Sequence, residues 1–590
     1  MYDLVIRGAR IIDGTNKPAF EANLAVKNGR IAYVGTDDVD GEQVIEARGR
    51  YLTPGFVDTH THYDAQVTWD PWLRPHSMHG VTSYVCGNCG FGLSPVSKDS
   101  LKYLVPMLAK VEGIPYKSLV QGARINWEST AEMFEQLTGN VGVNVGFMVG
   151  HSTLRVNAMR ERAQDSESTR ADIDAMKAQL RQSLDEGALG FSSSHIETHV
   201  DHDGEEVPSL HSPHEELLEL MSVVKDYEGT MTGYVLTGMK PDAQQMRRMA
   251  EVSLASGRPY AWPLLIPGLH APDMMDAKMA CTDVAREMGA ELRVQAPSCP
   301  VGVYINFKNG LGFDMFPGVW KDVYRKDHAG RVAAFADPVM RQQLEEDAKK
   351  LPEGANGQYR AKFDNYLVQG VKAAENEKYV GRMMGEIGKE EGRTAFQAIM
   401  DMIVKDDLQT VFVPNDPDAD ELAIWKDIVR CMRDSRTIWG GDDGGAHLDV
   451  LEAYSHGTRF IQYAVKEHGL MPIEEAVHYF TQSPAQFMGL KDRGVIAVGK
   501  YADLNIIDFE RVAVQPVEFR SDFPADGERL YTGAEGFDYV IVNGVPIIAE
   551  GNYTWAKPGK ILKAREDTYT VDMAKGAAIT ESQPMLEAAE

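Results

Sequence analysis

Between residues 54 and 486 short apolar runs alternate with helical stretches, and this alternation constrains the fold more than any other property of the chain. Strands separated by helices run parallel and need both faces of their sheet covered. The clearest runs are Gly55-Phe56-Val57, Val81 to Val85, Val143 to Val149, Gly187 to Ser192, Leu292 to Gln295 and Thr437 to Trp439. From Thr169 to Glu186, Ile173, Met176, Leu180 and Leu184 recur at spacings of three and four, the stripe of an amphipathic helix. Enough alternations exist for an eight-stranded α/β barrel, and periodicity alone also fits an open doubly wound sheet.

The chain ends read differently. Residues 1–53 carry short strands joined by Asp13-Gly14 and Asn28-Gly29, strong hairpin signals. The same texture returns over 487–565, so the two ends are expected to form one small β-sandwich domain beside the barrel. Within the barrel, 54–486, the rhythm breaks at about 300–410, where a Gly- and aromatic-rich stretch precedes a charged helix from Val339 to Lys350. Such an excursion is expected to cover or shape a site. Residues 566–590 read as a tail.

Composition narrows the function. A net charge of -27 argues against nucleic acid or an anionic membrane as a partner. Five scattered cysteines read as reduced thiols of a cytoplasmic enzyme, and no apolar run reaches the roughly 18 residues of a membrane span. A small molecule is the expected partner, and a homo-oligomer is compatible with all of this.

Polar clusters follow five of the strands. In Asp58-Thr59-His60-Thr61-His62-Tyr63-Asp64, residues two apart on an extended chain point the same way, so His60 and His62 form a pincer for a divalent ion. Cys86-Gly87-Asn88-Cys89-Gly90 offers one thiol, with Cys89 the better placed and a buried structural cysteine the plain alternative. In Gly150-His151-Ser152-Thr153-Leu154-Arg155, His151 suits a metal or a hydrogen bond to substrate and the Arg155 guanidinium suits an anion, while His195, His199 and His202 read equally as a metal cluster or as a polar loop lining a site mouth. In Gly440-Gly441-Asp442-Asp443-Gly444-Gly445-Ala446-His447, a carboxylate among glycines suits a ligand and proton acceptor, and His447 suits a developing negative charge.

These motifs, in this order, resemble the metal-dependent amidohydrolase superfamily and, within it, the D-aminoacylase (N-acyl-D-amino-acid deacylase) group. The likeness rests on Leu4 to Gly14, Pro54 to His62, Gly80 to Thr82, Gly87 to Gly90, Gly150 to Arg155, Gly187 to Ser192, Asp442 to His447 and Gly499 to Leu504. It implies a distorted TIM barrel, zinc, and hydrolysis of an amide C–N bond. By position, His60, His62, Cys89 and Asp443 are the implied metal ligands, with Asp443 also the general base and His447 beside it. Asp64, Asn88, His151, Arg155 and His195 are the candidate substrate-binding residues.

The chain departs from the group in two stretches. Met231 to Leu236 and Tyr260 to Ile266 lack the histidines the group carries there, which favours one zinc per chain over two. The basic residue that would hold a substrate carboxylate is also missing unless Arg155 substitutes. The leading expectation is hydrolysis of an N-acyl amino acid or related amide. A lactone, cyclic amide or other uncharged amide is the alternative, motivated by Tyr304, Phe307, Phe313, Phe316 and Trp320, and a non-catalytic binding relative is a third.

Overall fold

The computed structural model describes residues 1–573 except 237–240, 264, 268–271, 309, 311, 312, 314, 315, 353–357, 416–418, 441 and 453. Eight strands form one parallel sheet: β1 (Phe56–Asp58), β2 (Val81–Cys86), β3 (Asn144–Gly150), β4 (Gly190–His195), β5 (Met231–Leu236), β6 (Tyr260–Trp262), β7 (Leu292–Ala296) and β8 (Thr437–Trp439). Each pairs with its neighbour in chain order, except that β8 follows β7 across the long excursion. Every residue of β1, β2, β3 and β4 is buried, as helix-covered parallel strands require. Beyond the sheet edges, the His62 amide donates to Gly444 O at 2.8 Å and Thr61 bridges Gly444 in parallel, so the segments leaving β1 and β8 are stitched together.

Local sequence explains these elements and one shift. The helix Arg170–Asp185 is capped by Thr169, whose hydroxyl and the Asp172 carboxylate satisfy each other's backbone amides. It buries Met176, Leu180 and Leu184 and leaves Ile173 at the margin. The run expected as a strand from Gly187 starts only at Gly190 and extends to His195, because Gly187 at φ +105° turns the chain out of the helix.

A second sheet of nine strands draws on both chain ends. Tyr51–Pro54 lies at its centre, parallel to Tyr2–Ile11 and antiparallel to Leu504–Ile507. Alternate residues Leu4, Ile6, Leu24, Val26, Leu52, Leu504, Ile506 and Ile541 form its core. Each such side chain contributes about 1.5–3 kcal/mol when fully buried. Neither terminal segment could bury this face alone.

The excursion between β7 and β8 starts from a two-residue ladder, Gly302–Val303 against Leu451–Glu452, and packs around its own core. There Phe307 stacks on Phe313 with centroids 4.6 Å apart, and Phe313 stacks on Trp320 at 5.2 Å. Phe307, Phe313, Phe316 and Trp320 are all buried. The aromatic residues taken to hint at an apolar substrate therefore hold this insertion together; of the five, only Tyr304 is half-buried.

Part of the expected tail is tied down. Gly229 donates to the Thr570 hydroxyl at 2.8 Å and Tyr569 to Gly489 O at 2.7 Å, pinning this segment against the chain before β5 and after the helix Gln482–Phe487. Residues 574–590 lie outside the described part of the structure. Among the described residues no helix is long and apolar enough to cross a membrane.

Candidate active site

The chain leaving β1 delivers the two histidines side by side, with ring centroids 5.4 Å apart. Thr61, between them, points the other way and donates its hydroxyl to Val85 O at 2.9 Å. His60 Nε2 lies 3.7 Å and His62 Nε2 3.1 Å from the same oxygen, Asp443 Oδ1. The alternation of an extended chain therefore aims both imidazoles at one point.

Cys89 reaches that point from a tight turn after β2. Its backbone sits at φ +53° between Gly87 at +76° and Gly90 at +80°, a left-handed course that is costly for any residue with a Cβ. The turn is held by Asp64, which accepts from the Gly87 amide at 3.1 Å, and by Asn88, which donates to Val85 O at 2.9 Å. Cys89 Sγ thereby stands 3.3 Å from His60 Nε2. Burial pushes its thiol up to about 11.

Asp443, at φ +58°, and His447, at φ +49°, face the histidines from the loop after β8. The Asp443 side chain keeps 27% of its surface open, and its Oδ2 is 3.7 Å from His447 Nε2. Burial works to raise the Asp443 carboxyl, yet the hydrogen bond and charge of His62, with His447 and His60, hold it well below the usual range.

Two neighbours, Gln295 and Glu112, escaped the sequence reading. Gln295, at the end of β7, accepts from His60 Nδ1 at 3.1 Å while its amide donates to the Thr59 hydroxyl, which leaves Nε2 of His60 for the site. Glu112, just beyond the helix Lys98–Val111, places Oε1 3.2 Å from His62 Nδ1. Burial opposes a charge on His62, but Glu112, Asp443 and Cys89 outweigh it and raise its pKa. His199, in the polar loop after β4, is half-buried; burial lowers its pKa to about 3, and the charges of His447, Asp443, His62 and His60 also act on it. Nothing in the spacing of Glu112 or Gln295 singles them out.

Other expected site residues are engaged elsewhere. His151 contacts Ser193 Oγ at 2.8 Å and Glu216 Oε1 at 2.9 Å. Arg155 donates to both Glu216 oxygens at 2.7 Å and to the carbonyls of Ala163 and Asp165. This buried network balances its own charges, which corrects the expectation that Arg155 clamps a substrate anion. His195 contacts Tyr234 Oη and Ser212 Oγ, each at 2.8 Å. Asn88 and Asp64 shape the Cys89 turn instead of presenting their side chains to a ligand. Burial lowers the pKa of His447, with a smaller contribution from the charge of Arg360 in the insertion.

Residues 43–310 and 384–548 match the family model described as the amidohydrolase family. The chain belongs to that family. This amidohydrolase is 24% identical to D-aminoacylase of Alcaligenes xylosoxydans xylosoxydans over 565 residues, 95% of this chain and 97% of that protein. It is 25% identical to N-acyl-D-glutamate deacylase of the same organism over 571 residues, 95% and 96% of the two chains. Its fold matches a crystal structure of N-acyl-D-glutamate deacylase from Bordetella bronchiseptica, complexed with zinc and a phosphonate inhibitor, with TM-score 0.63 at 22% identity over 95% of this chain and 100% of that one. Strands β5 and β6 of this amidohydrolase carry no histidine.

Proposed function

We propose that this amidohydrolase is a metal-dependent deacylase that hydrolyses the C–N amide bond of N-acyl amino acids, on a distorted (β/α)8 barrel completed by a β-sandwich from both chain ends. The observation that carries this reading is the convergence of His60 Nε2, His62 Nε2, Cys89 Sγ and one open carboxylate, Asp443. Nitrogen, sulfur and oxygen donors of this kind suit zinc, and bonds of roughly 2.0–2.3 Å place neighbouring donors about 3.3–3.6 Å apart at a tetrahedral angle. The separations of 3.1, 3.3 and 3.7 Å lie in or within 0.2 Å of that range, so small side-chain shifts would seat one ion. Held there, zinc supplies a polarised substrate carbonyl and a nucleophile drawn from water at neutral pH.

The side chains do the rest. Asp443, ionised and partly open, takes the proton of the attacking water and passes it to the leaving nitrogen. His447, on the open side of Asp443, donates toward negative charge developing on the carbonyl oxygen. Gln295 and Glu112 hold the two histidine rings in orientation. The likeness to deacylases of D-amino-acid derivatives supports D-configured substrates, and five free, buried cysteines fit a reducing, cytoplasmic compartment.

Uncharged cyclic amides or lactones are the second reading, favoured by the engagement of Arg155 with Glu216. Zinc-loaded protein assayed against N-acyl-D-amino acids, their L-enantiomers and neutral cyclic amides separates the two. Turnover of the D-series, lost in Asp443→Asn, is expected. Turnover of neutral rings alone, or of none of these by zinc-loaded protein, overturns the reading.

A further inference from the structure

We propose that Asp58, His76 and Asp442 form a second cation site, separate from the catalytic one, that binds a divalent first-row ion and pins together the two edges of the parallel sheet. All three side chains are fully buried. Asp58 Oδ2 lies 3.4 Å and Asp442 Oδ2 3.6 Å from His76 Nε2, and the three atoms fall within 4.8 Å of one another.

What points to a ligand is the pattern of satisfied and unsatisfied atoms. Asp58 Oδ1 accepts from the His60 amide at 3.0 Å, His76 Nδ1 contacts Tyr63 Oη at 3.1 Å, and Asp442 Oδ1 is bonded by His456 Nδ1. The remaining atom of each side chain, Asp58 Oδ2, His76 Nε2 and Asp442 Oδ2, has no hydrogen-bond partner, and all three face one another. A buried polar atom left unmatched is costly, and more so when charged. Three converging at one point are matched together by a single ion. The spacings of 3.4 and 3.6 Å are long for hydrogen bonds, yet they equal the donor-to-donor edge of about 3.3–3.6 Å set by zinc bonds of roughly 2.0–2.2 Å to oxygen and nitrogen.

The surroundings are built for it. Tyr63, on the outer nitrogen of His76, fixes which ring atom faces inward, as the outer partner of a metal-bound histidine does. Gly444 makes the space: a Cβ there would fall 2.6 Å from His76 Nδ1 and 2.9 Å from Tyr63 Oη. Asp58 ends β1 and Asp442 follows β8, the two edge strands of the sheet, so the ion would tie the strands that no named strand pairing joins. Two carboxylates and one imidazole, without sulfur, suit zinc, manganese or cobalt.

Cobalt substitution reads the two sites apart, because only the Cys89 site gives a thiolate-to-cobalt charge-transfer band. In wild-type protein freed of metal and titrated with Co2+, about two equivalents are expected, one with and one without that band. His62→Ala/Cys89→Ala protein should keep about one equivalent, without the band, and His76→Gln added to it should remove that last one. His76→Gln alone should keep the band and lose one equivalent. A wild-type titration that ends with the charge-transfer class alone, or a folded His76→Gln protein with unchanged stoichiometry, overturns the proposal. These counts stand whatever substrate is turned over, so a failure of the deacylase reading is scored separately.

Discussion

The side-chain carbonyl of Gln295 lies 3.1 Å from Nδ1 of His60, although 235 residues separate them. That contact fixes the tautomer of a histidine proposed to bind metal, from outside the proposed ligand set. Gln295→Leu is expected to weaken zinc binding about 10–100-fold while leaving the fold intact, because partners of this kind orient the ring and raise its basicity. Competition with a zinc chelator, with thermal unfolding as the control, measures this.

Asp443 is the one ligand-set group with an open face. Asp443→Asn should lower kcat by about 10²–10⁴-fold, the usual contribution of a proton-transfer group, with a much smaller change in KM. Steady-state kinetics on protein of verified metal content gives the answer.

Arg155 is held by Glu216 and should act on stability, not on substrate affinity. Arg155→Met leaves the Glu216 carboxylate buried without its cationic partner, with His151 and Ser168 beside it, which should cost about 3–5 kcal/mol. Denaturant unfolding reads the loss. A raised KM at unchanged stability would return Arg155 to substrate binding.

The same network sets an acid limit. Burial opposes ionisation of Glu216, but His151 and Arg155 prevail and lower its pKa from 4.5 to about 2. A depressed folded-state pKa gives stability that is full above about 4.5 and lost as pH falls toward 2, on the order of 3 kcal/mol. Unfolding free energies at pH 6 and pH 3 should therefore differ more in the wild type than in Glu216→Gln.

Much of this site was legible because it is local. His60 and His62 share a direction through the two-residue period of an extended chain, and the turn around Cys89 and the Asp443 loop announce themselves by glycines flanking a reactive side chain at a strand end. Met176, Leu180 and Leu184 mark a buried helix face by the same kind of short-range periodicity. Arg155 and His151 misled for the converse reason: a polar pair after a strand looks alike whether it faces a pocket or a buried Glu216.

What the sequence by itself determined is the set of strands, the faces of its helices and the residues that stand at strand ends, all consequences of backbone geometry over a few residues. Only the tertiary structure decided that Glu112 and Gln295 meet the two histidines, that the aromatic residues of the insertion form a core of their own, and that Asp58, His76 and Asp442 converge. The contacts of Gln295 with His60 and of Asp442 with His76 join residues hundreds of positions apart, and the second exists because the chain after β8 lies against the chain after β1.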